Sequence, residues 1–328
     1  MCKRPLPKKN VGGYNTRGSV TCQVYFYWVS LKGERDVLVS TYSDGATNDA
    51  GDVSGTGNVD GDTEAVRGFY DRIVAYEWKR LEHYVLENAT VQHYFSRYLP
   101  PPPARIVDIG GGPGRYALML AQQGYEVTLI DLSPSNVAWA REQFAQAGVQ
   151  AYAELGDARN LRQFAAGQFD AALLLGPLYH LPKYEDRHQA VSEMRRVLRL
   201  GGRAFTMMLT RAAAIYEGFN RWPEGILDRE GVQQLLTAGS GFNFEKNPSD
   251  FEGVYFAHPS EVLPLHEALN LRTYALVGCE GVLGGRRAEI ERMTPEVQVA
   301  WIQLVLQVCE DPSILGASER LLYVGEAV

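Results

Sequence analysis

The chain has 328 residues, 45% of them hydrophobic and 22% charged, with a formal net charge of −7. It is long enough to bury a sizeable core, in one large domain or two, and its composition is that of an ordinary globular protein. The acidic balance argues against a broad nucleic-acid-binding face, and no apolar run approaches the ~20 residues of a membrane-spanning helix. Cys2, Cys22, Cys279 and Cys309 form no Cys-x-x-Cys pair, and the six histidines show no His-Glu-x-x-His pattern. No metal is therefore expected, and the thiols fit a reduced, cytoplasmic chain.

Residues 1–62 differ from the rest. The first 35 carry seven Lys or Arg and one acid, and residues 36–62 carry six acids and no base. Ser43 to Asp62 is rich in Gly, Ser, Thr and Asn and reads as a poorly ordered linker. Val20 to Leu31 could pair with Val37 to Tyr42 as a hairpin across Lys32-Gly33-Glu34-Arg35. A signal peptide is disfavoured, because Thr21, Cys22 and Gln23 interrupt the apolar stretch and no clean cleavage site follows. Residues 63–98 read as helical. Phe69, Ile73, Tyr76 and Arg80 share one face, and Trp78, Leu81 and Val85 another. Pro100 to Pro103 then stiffens the approach to the first strand of the main domain.

Ile106 to Ile109 has the look of a buried parallel strand, with Asp108 near its end. Gly110, Gly112 and Gly114 follow at once, and Arg115 to Gln123 has helix-forming composition. A strand–glycine turn–helix unit brings bare backbone up to a nucleoside-containing cofactor. A dinucleotide turn wants G-x-G-x-x-G, with backbone amides aimed at a pyrophosphate. Here the spacing is G-x-G-x-G, Arg115 stands where the third glycine would, and Asp108 would repel a pyrophosphate. The acid suits a ligand with an ammonium group and no phosphate, such as S-adenosyl-L-methionine (SAM).

The next segments fit that reading. Glu126 to Ile130 is a second strand ended by Asp131, an acid able to accept both ribose hydroxyls. Ser133-Pro134 supplies a helix N-cap and a first-turn proline. Ala151 to Leu155 is a third strand, followed by Gly156-Asp157-Ala158, where an acid could meet the adenine amine. Phe169 to Leu175 is a fourth, ending at Gly176-Pro-Leu-Tyr-His180. A helix from Tyr184 to Leu200 should stop at Gly201-Gly202, with a fifth strand over Arg203 to Leu209. Thr210 to Gly253 is long for a connection and aromatic-rich, as a lid or small insertion is. A helix at Pro259 to Leu269, a sixth strand at Arg272 to Val277, a helix at Pro295 to Val308 and a last strand at Leu321 to Gly325 complete the chain.

Taken together, Asp108-Ile-Gly-Gly-Gly-Pro-Gly114, Asp131, Gly156-Asp157-Ala158, Leu175 to Leu181 and Arg196-Val-Leu-Arg-Leu-Gly-Gly202 resemble the class I SAM-dependent methyltransferases over residues 63–328. Phe69-Tyr-Asp71, Glu77-Trp-Lys-Arg-Leu81 and Gly176-Pro-Leu-Tyr-His-Leu181 are similar to a bacterial small-molecule subgroup. The resemblance implies an α/β, Rossmann-like sheet of seven mostly parallel strands with helices on both faces. The last strand should run antiparallel between the fifth and sixth. It implies a helical cap at 63–103, a SAM-binding half at 104–209, a lid insertion at 210–257 and the rest of the sheet at 258–328. It also implies SAM contacts from Asp108, Gly110, Gly112, Gly114, Asp131, Leu132, Asp157, Ala158 and Leu175.

Methyl transfer is an in-line displacement that needs alignment and exclusion of water, and for some nucleophiles a base. His180, at the C-terminal edge of the sheet, is the best base candidate, and a structural role in the loop is its alternative. Tyr70, Glu77 and Trp78 from the cap, Tyr179, and Tyr216, Trp222 and His258 from the lid are the candidate acceptor contacts. An enclosed aromatic pocket suits a small acceptor, with transfer to O, N or S favoured over C. RNA or protein methylation, a non-catalytic SAM-binding protein and an NAD-type oxidoreductase are the competing readings. The sequence leaves the oligomeric state open.

Overall fold

The computed structural model describes residues 61–240 and 253–328 and, as backbone alone, two strands nearer the N-terminus, Gln23–Val29 (β1) and Val37–Ser43 (β2). These pair antiparallel, Gln23 opposite Ser43 and Val29 opposite Val37, as the expected hairpin. The expected poor order of residues 1–62 falls, for the rest of 1–60, outside the described residues, as does 241–252 of the expected lid.

The cap is two helices, α1 (Gly61–His83) and α2 (Val85–Tyr98). Ile73 sits at φ −112, ψ 16, so α1 is kinked there into two halves. Leu99 turns extended ahead of Pro100, whose ring disfavours a helical backbone in the residue before it. The main domain then alternates strand and helix: β3 (Arg105–Ile109), α3 (Arg115–Gln122), β4 (Glu126–Asp131), α4 (Pro134–Ala147), β5 (Ala151–Leu155) and β6 (Phe169–Leu174). There follow α5 (Tyr184–Val197), β7 (Leu198–Thr210), α6 (Arg211–Arg221), α7 (Arg229–Ala238) and a two-residue strand, β8 (Phe256–Ala257). The chain closes with α8 (Pro259–Glu267), β9 (Leu271–Gly278), α9 (Arg287–Glu291), α10 (Pro295–Val308), α11 (Pro312–Leu315) and β10 (Arg320–Ala327).

The main sheet runs β5-β4-β3-β6-β7-β10-β9, with β8 added beside β7. The pairs among β3 to β7 are parallel, and β10 is antiparallel to both β7 and β9. Successive strand residues face opposite sides. Ile106, Leu129, Leu173, Phe205 and Leu322 pack with residues of α2, α3, α4 and α10. Val107, Ile109, Ile130, Ala172 and Leu174 pack on the other side with α5 and α8. Each large side chain so buried contributes about 1.5–3 kcal/mol. The strand order reverses at β3, with β4 on one side and β6 on the other. Ligands of open α/β sheets bind in the crevice at such a point.

The largest boundary difference from expectation lies between α5 and β7. The helix expected to reach Leu200 ends at Val197, and the fifth strand begins at Leu198 rather than Arg203. Leu198 pairs with Phe169, the register then shifts, and Gly201 takes φ +73. The two glycines that read as a helix stop thus lie within β7, where they allow the irregularity.

Candidate active site

The glycine turn is built for close approach. Gly110 has φ +66, and a Cβ there would stand 2.3 Å from the Pro177 ring. Gly110 N donates to Ile130 O at 2.6 Å, which ties the turn to β4. Asp108 lies under the turn, 2% exposed, and its Oδ2 has no hydrogen-bond partner. Burial, and then the nearby Asp131, push its pKa up to about 7.

Asp131 ends β4 and holds the turn. Its Oδ2 accepts from Gly112 N at 2.7 Å, and its Oδ1 accepts from Ser133 N at 2.9 Å and Asn136 Nδ2 at 3.1 Å. Ser133 caps α4 as expected, accepting from Asn136 N. Burial raises the Asp131 pKa, and these hydrogen bonds only partly offset it. Asp157 is gripped by Arg159, whose Nη2 approaches to 2.6 Å. Burial alone would raise its pKa, but the Arg159 contacts outweigh it and hold the carboxyl low.

These groups line one cavity of about 380 Å³ at the C-terminal edge of the sheet. Asp108, Gly110, Gly112, Asp131, Leu132, Asp157, Ala158 and Leu175 line it, and so do Tyr70, Glu77, Tyr179 and His180. His180 closes the short helical turn Pro177–His180 after β6. Its Nε2 lies 2.7 Å from the Tyr70 hydroxyl, and the Tyr179 ring stands edge-on to it at 4.6 Å. Burial drives the imidazole pKa down to about 3, so the ring is neutral across physiological pH. Burial, with Tyr179 and Glu77 nearby, raises the Tyr70 pKa and keeps it a phenol. The Glu77 pKa is raised by burial against the opposing pull of Arg80, 3.2 Å away.

Five of the expected contacts do not line this cavity. Gly114, at φ +88, faces Ala140, Leu129 and Phe144, so its want of a side chain serves the packing of α3 on α4. Trp78 packs against Trp139 and beneath the Arg115 guanidinium. Tyr216 donates to Ala317 O at 2.9 Å and covers Gly284 and Gly285. Trp222 ends α6 and stands against Gly225. His258 caps α8 in a capping box with Glu261. Sequence reasoning gave no role to Arg80, Arg159, Tyr116 or Asn136, all of which line the cavity. Arg80 makes a paired contact with Glu87 at 2.7 and 3.0 Å, and Glu87 also meets Arg320 at 3.2 Å. A link between such distant stretches leaves no local signal.

The residues fit a SAM-like ligand. Asp108 Oδ2, Asn136 Oδ1 and the Tyr116 hydroxyl are buried without hydrogen-bond partners, and their residues line the cavity. Buried polar groups cost free energy until they are paired. A buried carboxyl also suits a cationic group better than a pyrophosphate. A parallel sheet that reverses at β3, an antiparallel last strand and an acid-flanked glycine turn define a class I methyltransferase domain.

Comparison with known proteins agrees. Residues 106–202 match the family described as a methyltransferase domain. A ubiquinone biosynthesis O-methyltransferase of Xanthomonas axonopodis pv. citri (strain 306) is 33% identical over 147 residues, 45% of this chain and 58% of the relative. That of Xylella fastidiosa (strain 9a5c) is 32% identical over 147 residues, 45% of this chain and 56% of the relative. The chain thus spans a little over half the length of these relatives. A solved SAM-dependent methyltransferase from Methanosarcina mazei aligns with a TM-score of 0.49 and 18% identity, over 72% of this chain and 97% of that one. Residues 106–202 thus match a methyltransferase-domain family whose methyl donor is SAM, and the chain around them has the Rossmann-like methyltransferase fold.

Proposed function

We propose that the chain transfers a methyl group from SAM to a small-molecule acceptor, at O, N or S rather than C. The observation that carries this is a cavity of about 380 Å³ in which the expected cofactor residues other than Gly114 meet the Tyr70, Tyr179 and His180 group. That volume falls in the range of small-ligand sites, and a folded protein or duplex would need an open face. The relatives named as O-methyltransferases support oxygen as the acceptor atom. The acidic net charge and a cytoplasmic location fit the same reading, and no described helix is long and apolar enough to cross a membrane. Within residues 63–328 the cap, the SAM-binding half and the rest of the sheet act as one unit.

When bound, SAM supplies an electrophilic methyl carbon on a sulfonium that leaves readily. Asp131 and Asp157 would hold the ribose and adenine ends, and Asp108 the ammonium end. Tyr70, Glu77 and Tyr179 orient the acceptor, and the walls exclude water. The neutral His180 imidazole accepts the acceptor's proton. RNA or protein methylation and a non-catalytic SAM-binding role are the alternatives. Incubating the chain with methyl-labelled SAM and a small-metabolite extract, bulk tRNA or a protein lysate separates them. Label in small metabolites is the expected result, and label confined to tRNA or protein would contradict it.

A further inference from the structure

Tyr70 and His180 lie 110 residues apart in sequence, yet their side chains meet at 2.7 Å with their rings edge-on, centroids 5.4 Å apart. Both line the cavity. We propose that Tyr70 is a second catalytic residue: its phenol oxygen takes the acceptor's proton while its own proton passes to His180 Nε2. This rests on the methyltransferase reading above, with His180 as the final proton acceptor. The acceptor's X–H bond breaks as its X–CH₃ bond forms, and the proton settles through Tyr70 on the imidazole. The positive charge that leaves the donor sulfur reappears on that ring, so the cavity carries the same charge before and after.

Three observations favour a relay over direct transfer to His180. The first is that Nε2 is engaged by the Tyr70 hydroxyl, so an acceptor reaching it directly would have to break that contact. The second is the protonation states, a neutral imidazole and a phenol: in the Nδ1–H tautomer Nε2 accepts and Tyr70 has a proton to pass. The third is where Tyr70 sits. It rides on the half of α1 before the Ile73 kink. Asp71 ties that half down by accepting from Ser133 Oγ and Ser135 N, and Thr63 Oγ1 by accepting from Arg159 at 3.0 Å. The half after the kink is held separately, through Arg80 and Glu87. These contacts hold the first half of α1 in place with the Tyr70 hydroxyl against His180.

The test uses the full chain, methyl-labelled SAM and a small-metabolite extract, with S-adenosylhomocysteine calorimetry on the same preparations. Tyr70→Phe, which keeps the ring, His180→Ala and the double variant are compared with wild type. All three should bind S-adenosylhomocysteine near the wild-type affinity. Each single change should lose roughly 10²–10⁴ in turnover. The double variant should lose no more than the worse single one, because members of a relay act as a unit. Free imidazole should restore turnover to His180→Ala and none to the double variant. Wild-type turnover in Tyr70→Phe, or a double loss equal to the product of the single ones, would overturn the relay. No S-adenosylhomocysteine binding by the wild-type chain would overturn the methyltransferase reading itself, and the relay with it.

Discussion

Asp108 carries the sharpest residue-scale consequence. Its carboxyl is raised from the ordinary 3.8 to about 7 by burial and by Asp131. Between those two pH values the folded chain holds a proton that the unfolded chain has lost. The side chain therefore costs stability as pH rises through that window. A ligand ammonium beside it favours the carboxylate. S-adenosylhomocysteine affinity should thus strengthen from about pH 6 to about pH 8 with release of a proton. Calorimetry in two buffers of different ionisation enthalpy reads that proton, and Asp108→Asn should abolish it; a proton still released by the variant would point to another group. Asp131 reads as a candidate ligand-facing acid because it ends a strand beside the glycine turn, and it lines the cavity. Sequence could not show that it also holds Gly112 N and Ser133 N. Asp131→Ala should therefore lose about 1–3 kcal/mol of SAM affinity, and the melting temperature should fall as well, since buried amides lose their partner. Unchanged melting would mean those amides find other acceptors.

At the scale of elements, glycines and aromatics mean different things in different places. Gly114 belongs to the motif by spacing, but its φ of +88 and its neighbours on β4 and α4 give it a packing role. Gly114→Ala should lower thermal stability, while the folded fraction keeps its S-adenosylhomocysteine affinity. A large loss of affinity at unchanged melting would restore it to the binding site. The place of Tyr216, Trp222 and His258 in or beside an aromatic, glycine-containing connection suggests lid residues. A helix cap, a ring over a glycine and a pocket wall look alike in one dimension, and only tertiary packing tells them apart. His258-Pro-Ser-Glu261 does carry a local cue, since its spacing is that of a capping box. The Ile73 kink left no such cue, because no proline or glycine marks it.

For the whole molecule, the sheet was legible because β3, β4, β5 and β6 are short runs closed by a glycine or an acid. The antiparallel last strand came from family resemblance and is found between β7 and β9. What stayed hidden is long-range. The added strand β8 spans two residues, and the Arg80–Glu87–Arg320 link joins the cap to the last strand. Residues 36–62 carry six acids and no base, and Ser43 to Asp62 has a linker-like composition. Deleting residues 1–60 should therefore leave folding and SAM affinity nearly intact. An insoluble product would mean that the β1–β2 hairpin, which lies beside α2 and α10, is part of the core. On the reading proposed above, the cavity at the β3 turn is a SAM site and not a dinucleotide site. Titration calorimetry of the full chain with S-adenosylhomocysteine and, separately, with NAD tests it most directly. Saturable binding of S-adenosylhomocysteine with no heat from NAD is the expected result, and tight NAD binding with no response to S-adenosylhomocysteine would contradict the account.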